Sequence, residues 1–352
     1  MNRTVITFFG PANSGKSTLV NAIAGQEVSL VSPVPGTTTD PVRKLIELPF
    51  GIGPAVLIDT AGLDDASVLG SERRRLTLSV LDETDIAVMV NTDVLPDWMA
   101  EADIPIIPYT RGESVESLLK RIAAAIPPQE EKFLTGHLVN AGDTVLLVMP
   151  QDSEAPKGRL ILPQVQVLRE LLDRGCNPLC CTPDSMTAAL ATLRELPALT
   201  ITDSQVFRYV NDSLPKECPL TSFSVLLAAA KGDAAVYVEG ARAIASLNGH
   251  SRVLIAEACS HVPDNEDIGR VKIPALLRKR SGAELRVDIA AGHDFPEDLS
   301  RYDLIIQCGA CVAPGRTVRA RTRRALRCGV PITNYGIALA YLQGMLDRIV
   351  IP

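Results

Sequence analysis

Two groups of residues in this sequence have types and spacings that point to chemistry. Near the start, GPANSGKS, Gly10 to Ser17, fits G-x-x-x-x-G-K-[ST], with the apolar run TVITFF before it and TLVNAIAG after it. Gly10 and Gly15 let backbone N–H groups curl around phosphate oxygens, Lys16 reaches toward the β- and γ-phosphates, and Ser17 offers a hydroxyl to Mg²⁺. Ser14 and Thr18 belong to the same nucleotide-binding turn. DTAG, Asp59 to Gly62, follows the apolar AVLI. Asp59 is therefore expected at a strand end near Mg²⁺, and Gly62 can offer its N–H to the γ-phosphate. PGTTTD lies between the first helix and the next strand, and Thr38 is its candidate Mg²⁺-capping residue; taken alone, the run also reads as an ordinary polar loop. Lys16, Thr38, Asp59 and Gly62 are thus the candidate catalytic residues of a phosphate-hydrolysing site.

The second group is made of thiols. EACSH ends the apolar stretch RVLIA, and side chains at i and i+2 of a strand share a face, so Cys259 and His261 can converge on one ion. QCGAC follows LIIQ, and Gly309 is expected to allow the tight turn that brings Cys308 and Cys311 together. Two strands of one parallel sheet end side by side, the favoured ligand position in such sheets. Three thiols and an imidazole suit an iron–sulfur cluster or a closed, structural Zn²⁺ site. A redox dithiol would place its C-x-x-C at a helix N-terminus, whereas VAPG intervenes here. The spacing leaves these readings open. Of eight cysteines, the other five (Cys176, Cys180, Cys181, Cys218 and Cys328) are expected to be inert core residues.

The elements that position these groups follow from periodicity. A chain of 352 residues with 46% apolar and 22% charged residues has the composition of a globular protein of two or three domains. We expect an α/β fold of three domains: a P-loop nucleotide-binding domain over 1–128, a parallel-sheet α/β domain over 140–250, and a second one over 251–352. The joint PPQEEK marks the first boundary. The net charge of −6 provides no global basic field, so neither nucleic acid nor an anionic membrane is an expected partner. No apolar run reaches the roughly 18 residues of a membrane span, and the N-terminus lacks a signal-peptide pattern, so a cytoplasmic location is expected. RTVRARTRRALR places six arginines, Arg316 to Arg327, on one helix after the C-x-x-C. Such a run is ordinarily a solvated face; the sharper reading is a docking surface for an acidic partner or support for an anionic precursor.

The phosphate motifs resemble the translation-factor-related GTPases that include MnmE. That resemblance implies a K⁺ ion held by Asn13 and completed by Thr37, in place of an arginine finger, and slow hydrolysis, since Leu63 follows DTAG where other switches keep glutamine. The guanine-reading N-K-x-D is absent: Asn91 and Asp93 have the wrong spacing, and the expected place reads IPIIPYTRGE. Nucleotide binding with Mg²⁺ is thus better supported than guanine specificity, and GTP is what the resemblance implies. Across nearly the whole chain, the P-loop, CSH, DIGRVKIPALLRK and QCGAC together resemble the [FeFe]-hydrogenase maturation GTPases, the HydF family. The resemblance implies a [4Fe-4S] cluster on Cys259, Cys308 and Cys311, with an open or exchangeable fourth position. It further implies a transient diiron precursor made with radical-SAM maturases and delivered to apo-[FeFe]-hydrogenase, and a homodimer through the middle domain. Gln307 stands where the family has a histidine before C-x-x-C, so His261 and His293 become candidates for the fourth ligand.

Overall fold

TVITFF folds as β1 (Thr4–Phe9), buried along its whole length, and the first sheet is laid out around it. The computed structural model describes residues 3–25, 41–62, 80–92, 95–96, 99, 104–126, 133–151, 160–258, 267–292, 294–311 and 313–352. Around β1 stand β2 (Val42–Leu48), β3 (Gly53–Asp59), β4 (Ile86–Val90) and β5 (Ile106–Tyr109), in the order β2-β3-β1-β4-β5. Only β2 is antiparallel. Its residues alternate between half-buried and exposed, so VRKLIEL carries no solid apolar run to mark it in the sequence. Helices α1 (Lys16–Ala24) and α2 (Val115–Ala125) cover one face, where Leu19, Leu118 and Ile122 join Ile6, Phe8, Leu57 and Val88 in one core. Full burial of each such side chain is worth roughly 1.5–3 kcal/mol, and this packing fixes the strand ends from which the phosphate loops project.

Residues 1–130 form one compact unit and residues 131–352 another. The second contains two four-stranded parallel sheets. One runs β7-β6-β8-β9, from β6 (Thr144–Val148), β7 (Asn177–Cys181), β8 (Leu199–Thr202) and β9 (Leu220–Ser222). The other runs β11-β10-β12-β13, from β10 (Arg252–Glu257), β11 (Arg286–Ala291), β12 (Leu304–Gln307) and β13 (Ile332–Asn334). The two share one strand order. In each, the chain steps outward from its first strand and then crosses to the other side, which leaves a switch point between first and third strands where ligands settle in open parallel sheets.

Helices flank both sheets: α3 (Leu162–Asp173), α4 (Met186–Ala191), α5 (Phe207–Ser213), α6 (Phe223–Lys231), α7 (Ala234–Arg242), α8 (Ile273–Ser281), α9 (Gly315–Arg327) and α10 (Tyr335–Leu342). Two stop short of the sequence expectation. SMTAALATLREL is helical at its start, over α4, and GIALAYLQGMLDRIV ends its helix at Leu342, ahead of a left-handed Gly344 with φ of 73°. The middle sheet draws in chain ahead of residue 140, since Glu170 accepts N–H groups from Leu134 at 2.5 Å and Thr135 at 2.9 Å. Conversely α7, within the expected 140–250 segment, packs on β13 of the last sheet: a Cβ on Gly240 would lie 1.9 Å from the carbonyl oxygen of Ile332. The last residues then return to the middle sheet, where Ile349 bridges Leu220. A common core of Leu146, Phe207, Leu220, Tyr237, Ile337 and Met345 joins the two sheets. No helix among the described residues is long and apolar enough to cross a membrane.

Candidate functional site

The phosphate loop leaves the end of β1 and runs into the N-terminus of α1. Gly10 is required by close approach, since a Cβ there would sit 2.5 Å from the carbonyl of Val90 and 2.9 Å from Ser14 Oγ. Asn13 and Gly15 are left-handed, with φ of 59° and 95°, so the loop curls and α1 begins with its N–H groups facing the loop. The first turn of α1 holds no acidic residue, and the helix end favours an anion. Lys16 is buried and donates to the carbonyls of Gly10 at 3.0 Å and Pro11 at 2.7 Å, which holds its ammonium along the loop.

Asp59 ends β3, pairs in register with Phe8 and is fully buried. Its carboxylate accepts the Ser17 hydroxyl at 2.5 Å. The two oxygens that the sequence assigns to Mg²⁺ therefore meet, and an acidic carboxylate beside a hydroxyl is the hard oxygen chemistry that this ion takes. Thr18 lies in the first turn of α1, and Ala61 and Gly62 continue from β3 partly exposed. Thr37 and Thr38, with Leu63, lie outside the described residues.

Asn91, set aside in the sequence for its spacing, holds this site together. It follows β4 in the left-handed region, φ 52°. Its Nδ2 donates to the carbonyl of Ser14 at 2.5 Å, and its Oδ1 accepts the N–H of Arg111 at 2.6 Å. The residue ties the phosphate loop to the TRGE turn after β5. That turn is itself anchored by Glu113, whose carboxylate takes Arg121 at 2.8 and 2.9 Å. An asparagine after a buried strand was the available signal.

The thiol group sits at the switch point of the last sheet. β10 and β12 are parallel neighbours, Ala256 opposite Gln307, so the segments after them leave the sheet side by side as expected. Cys308 Sγ accepts the N–H of Ala258 at 3.1 Å and that of Ala310 at 3.4 Å, which places it beside the chain neighbour of Cys259. Cys308 is half-buried and Cys311 exposed. Gly309 is not the left-handed residue of the turn; Ala310 is, with φ of 49° and buried. Cys259, His261 and His293 lie outside the described residues, and among the described residues no three metal-ligating side chains converge. A thiol that receives two backbone N–H groups at the end of a parallel sheet, as Cys308 does, fits an iron–sulfur ligand, whose sulfur is stabilised by such bonds.

Three cationic side chains surround this end of the sheet. Lys231, the last residue of α6, donates to the carbonyls of Ala310 at 2.5 Å, Cys311 at 3.1 Å and Ala313 at 3.1 Å. Arg270 pairs with the buried Glu257 at the end of β10, 2.7 Å. Arg321 is buried and donates to the carbonyls of Glu257 at 3.1 Å and Gly292 at 2.6 Å. The arginine run is thus no uniform solvated face: Arg319 and Arg327 are exposed, Arg316, Arg323 and Arg324 are half-buried, and Arg321 ties the ends of β10 and β11 together.

Gln307 faces inward. It is buried and donates to Tyr237 Oη at 2.6 Å and Thr322 Oγ1 at 3.2 Å, so it belongs to the polar core between β12, α7 and α9. Tyr335 Oη is buried with no hydrogen-bond partner among the described residues and lies against Gly269, where a Cβ would come within 1.9 Å of it. Among the remaining cysteines, Cys176 and Cys218 are buried as expected, and burial pushes both thiols up. Cys180 and Cys328 are exposed, contrary to the core expectation, because β7 is a sheet edge and Cys328 caps the end of α9.

Comparison with known proteins covers most of the chain. Residues 5–123 match the family described as 50S ribosome-binding GTPase, residues 134–232 the hydrogen maturase F dimerization domain, and residues 235–352 the hydrogen maturase F tetramerization domain. Among curated relatives, a tRNA modification GTPase MnmE of Thermus thermophilus is 29% identical over 216 residues, covering 50% of this chain and 49% of its own. The MnmE of Acidiphilium cryptum is 42% identical over 106 residues, 28% of this chain and 23% of its own. The chain thus spans about half the length, or less, of the curated relatives it matches. Among solved structures, Era from Aquifex aeolicus is 17% identical, covering 52% of this chain and 93% of its own, with a TM-score of 0.32.

Proposed function

This chain belongs to the HydF family of hydrogenase maturases, and on that premise we propose that it is a GTP-hydrolysing scaffold that carries a [4Fe-4S] cluster and a diiron cargo. The cargo is received with the help of radical-SAM maturases and delivered to apo-[FeFe]-hydrogenase. The observation that carries the proposal is the meeting of Cys308 with Ala258 across the ends of β12 and β10. It brings the C-x-x-C to the residue that precedes Cys259. Cys259, Cys308 and Cys311 would hold the cluster, which when bound supplies an iron site with room for an exchangeable ligand. His261 and His293 are the proposed sources of that ligand. Gln307 is not, because its amide is spent on Tyr237 and Thr322.

In the first unit, Ser17, Asp59 and Thr38 would hold Mg²⁺, and Asn13 with Thr37 would hold K⁺; these ions supply positive charge to the phosphate oxygens. The chain's own part is to wrap the phosphates in N–H groups from the Gly10–Ser17 loop, place the Lys16 ammonium beside them, and aim the Gly62 N–H at the γ-phosphate. Hydrolysis is proposed to be slow, with Leu63 in place of a water-orienting glutamine. The homodimer is proposed to form through residues 134–232, the family's dimerization domain, where α3 exposes Leu162, Val165 and Leu172.

Phosphate release measured with GTP and ATP, in K⁺ and in Na⁺, tests the nucleotide half. GTP hydrolysis that rises in K⁺ and falls at least tenfold in Lys16→Ala is expected. Loss of an oriented phosphate contact of about 1.4 kcal/mol gives that factor. Activity equal in both ions would contradict the K⁺ assignment. Activation of apo-hydrogenase by the loaded protein tests delivery, and a protein that binds zinc alone and activates nothing would support instead a regulatory NTPase with a structural zinc domain.

A further inference from the structure

The turn that carries Cys308 and Cys311 is held by a residue from outside its own sheet. Lys231 ends α6, a helix of the segment matching the dimerization domain, whereas the turn lies in the segment matching the tetramerization domain. Its ammonium reaches three carbonyls of the turn, on Ala310, Cys311 and Ala313. The first belongs to the left-handed Ala310, a conformation that costs an alanine roughly 1–2 kcal/mol. Lys231's own carbonyl accepts Arg319 of α9 at 3.4 Å, so the backbone at this point is gripped from the far side of the turn as well.

We propose that Lys231 is the positioning residue of the cluster turn: it holds the Cys308–Cys311 backbone in its left-handed shape and fixes a positive charge beside the thiolates. The inference rests on the cluster reading above and goes beyond it in naming a residue with no metal-ligating role. A fixed cation beside a thiolate-bound cluster favours the more negative, reduced form, so it raises the reduction potential. It also makes the shape of the turn depend on the helix that precedes it, across the junction of the two sheets.

The test compares wild type with Lys231→Met and Lys231→Arg, and with Lys231→Gln should the methionine variant fail to fold. Amide hydrogen exchange over 309–313 in cluster-free protein reads the clamp. Faster exchange is expected in the neutral variants and near-wild-type exchange in Lys231→Arg, with exchange in β6 and β8 unchanged. After anaerobic reconstitution, a dithionite titration followed by electron paramagnetic resonance reads the charge. The one-electron midpoint is expected to shift downward in the neutral variants and to return toward wild type in Lys231→Arg. Unchanged exchange overturns the clamp, and an unchanged midpoint in a fully loaded variant overturns the charge effect. A wild type that takes up no iron and sulfide fails the cluster reading itself, while the exchange comparison still decides the clamp.

Discussion

Asn91 shows how a single side chain can tie a phosphate loop to a turn of another strand. Its left-handed backbone is one that asparagine tolerates better than most residues, and this points its amide at Ser14 and Arg111 at the same time. Asn91→Gly keeps the backbone and removes both bonds. With a net worth near 1 kcal/mol for each bond, some of it recovered by water, GTP affinity is expected to fall about tenfold. Calorimetric titration checks this, and an unchanged Kd would show that the loop holds its shape unaided. Ala310 carries a similar lesson, since the sequence points to Gly309 as the turning residue and the chain turns one residue later. The difference arises because Lys231, distant in sequence, supplies the bond that compensates the strain. Gln307 likewise reads as a vacated ligand position, and its burial against Tyr237 and Thr322 makes it a core residue.

At the scale of elements, the chemistry sits where strands end. β1 and β3 deliver the phosphate loop and Asp59; β10 and β12 deliver the thiol segments. Those strands are solid apolar runs and were legible in the sequence, as were the helices that come after β1, β10 and β12. The half-exposed β2 was not, nor were β9 and β13, each of three residues and each running directly into a helix. Pattern reading cannot separate three buried residues from the first turn of the helix they precede. The surroundings of α7 were not legible for a related reason: a helix's periodicity gives its buried face and not the sheet that covers it. Gly240 is the residue that decides this, because it lets α7 approach the backbone of Ile332. Gly240→Ala should destabilise the second unit by about 3 kcal/mol through overpacking against backbone that cannot move aside. Urea unfolding of the full chain followed by circular dichroism reads the loss; a midpoint equal to wild type would mean that α7 can shift without cost.

On the scale of the whole molecule, two compact units each carry one of the motifs that point to chemistry: G-x-x-x-x-G-K-S in the first unit, C-x-x-C in the second. What the motifs lacked was their surroundings. The chain is acidic overall, with a net charge of −6, yet Lys231, Arg270 and Arg321 gather where β10 and β12 end. With Arg270 matched by Glu257, Lys231 and Arg321 are the cations proposed to favour an anionic thiolate-bound cluster there, and they come from places far apart along the chain. We propose above all that this end of the sheet holds iron and sulfide. The direct measurement is anaerobic reconstitution of wild type and Cys308→Ser, with iron and sulfide analysis and electron paramagnetic resonance after reduction. About four iron and four sulfide per wild-type chain are expected, with a reduced [4Fe-4S] signal, and loss of most of both in Cys308→Ser. A colourless wild type that retains zinc and gives no signal would contradict it.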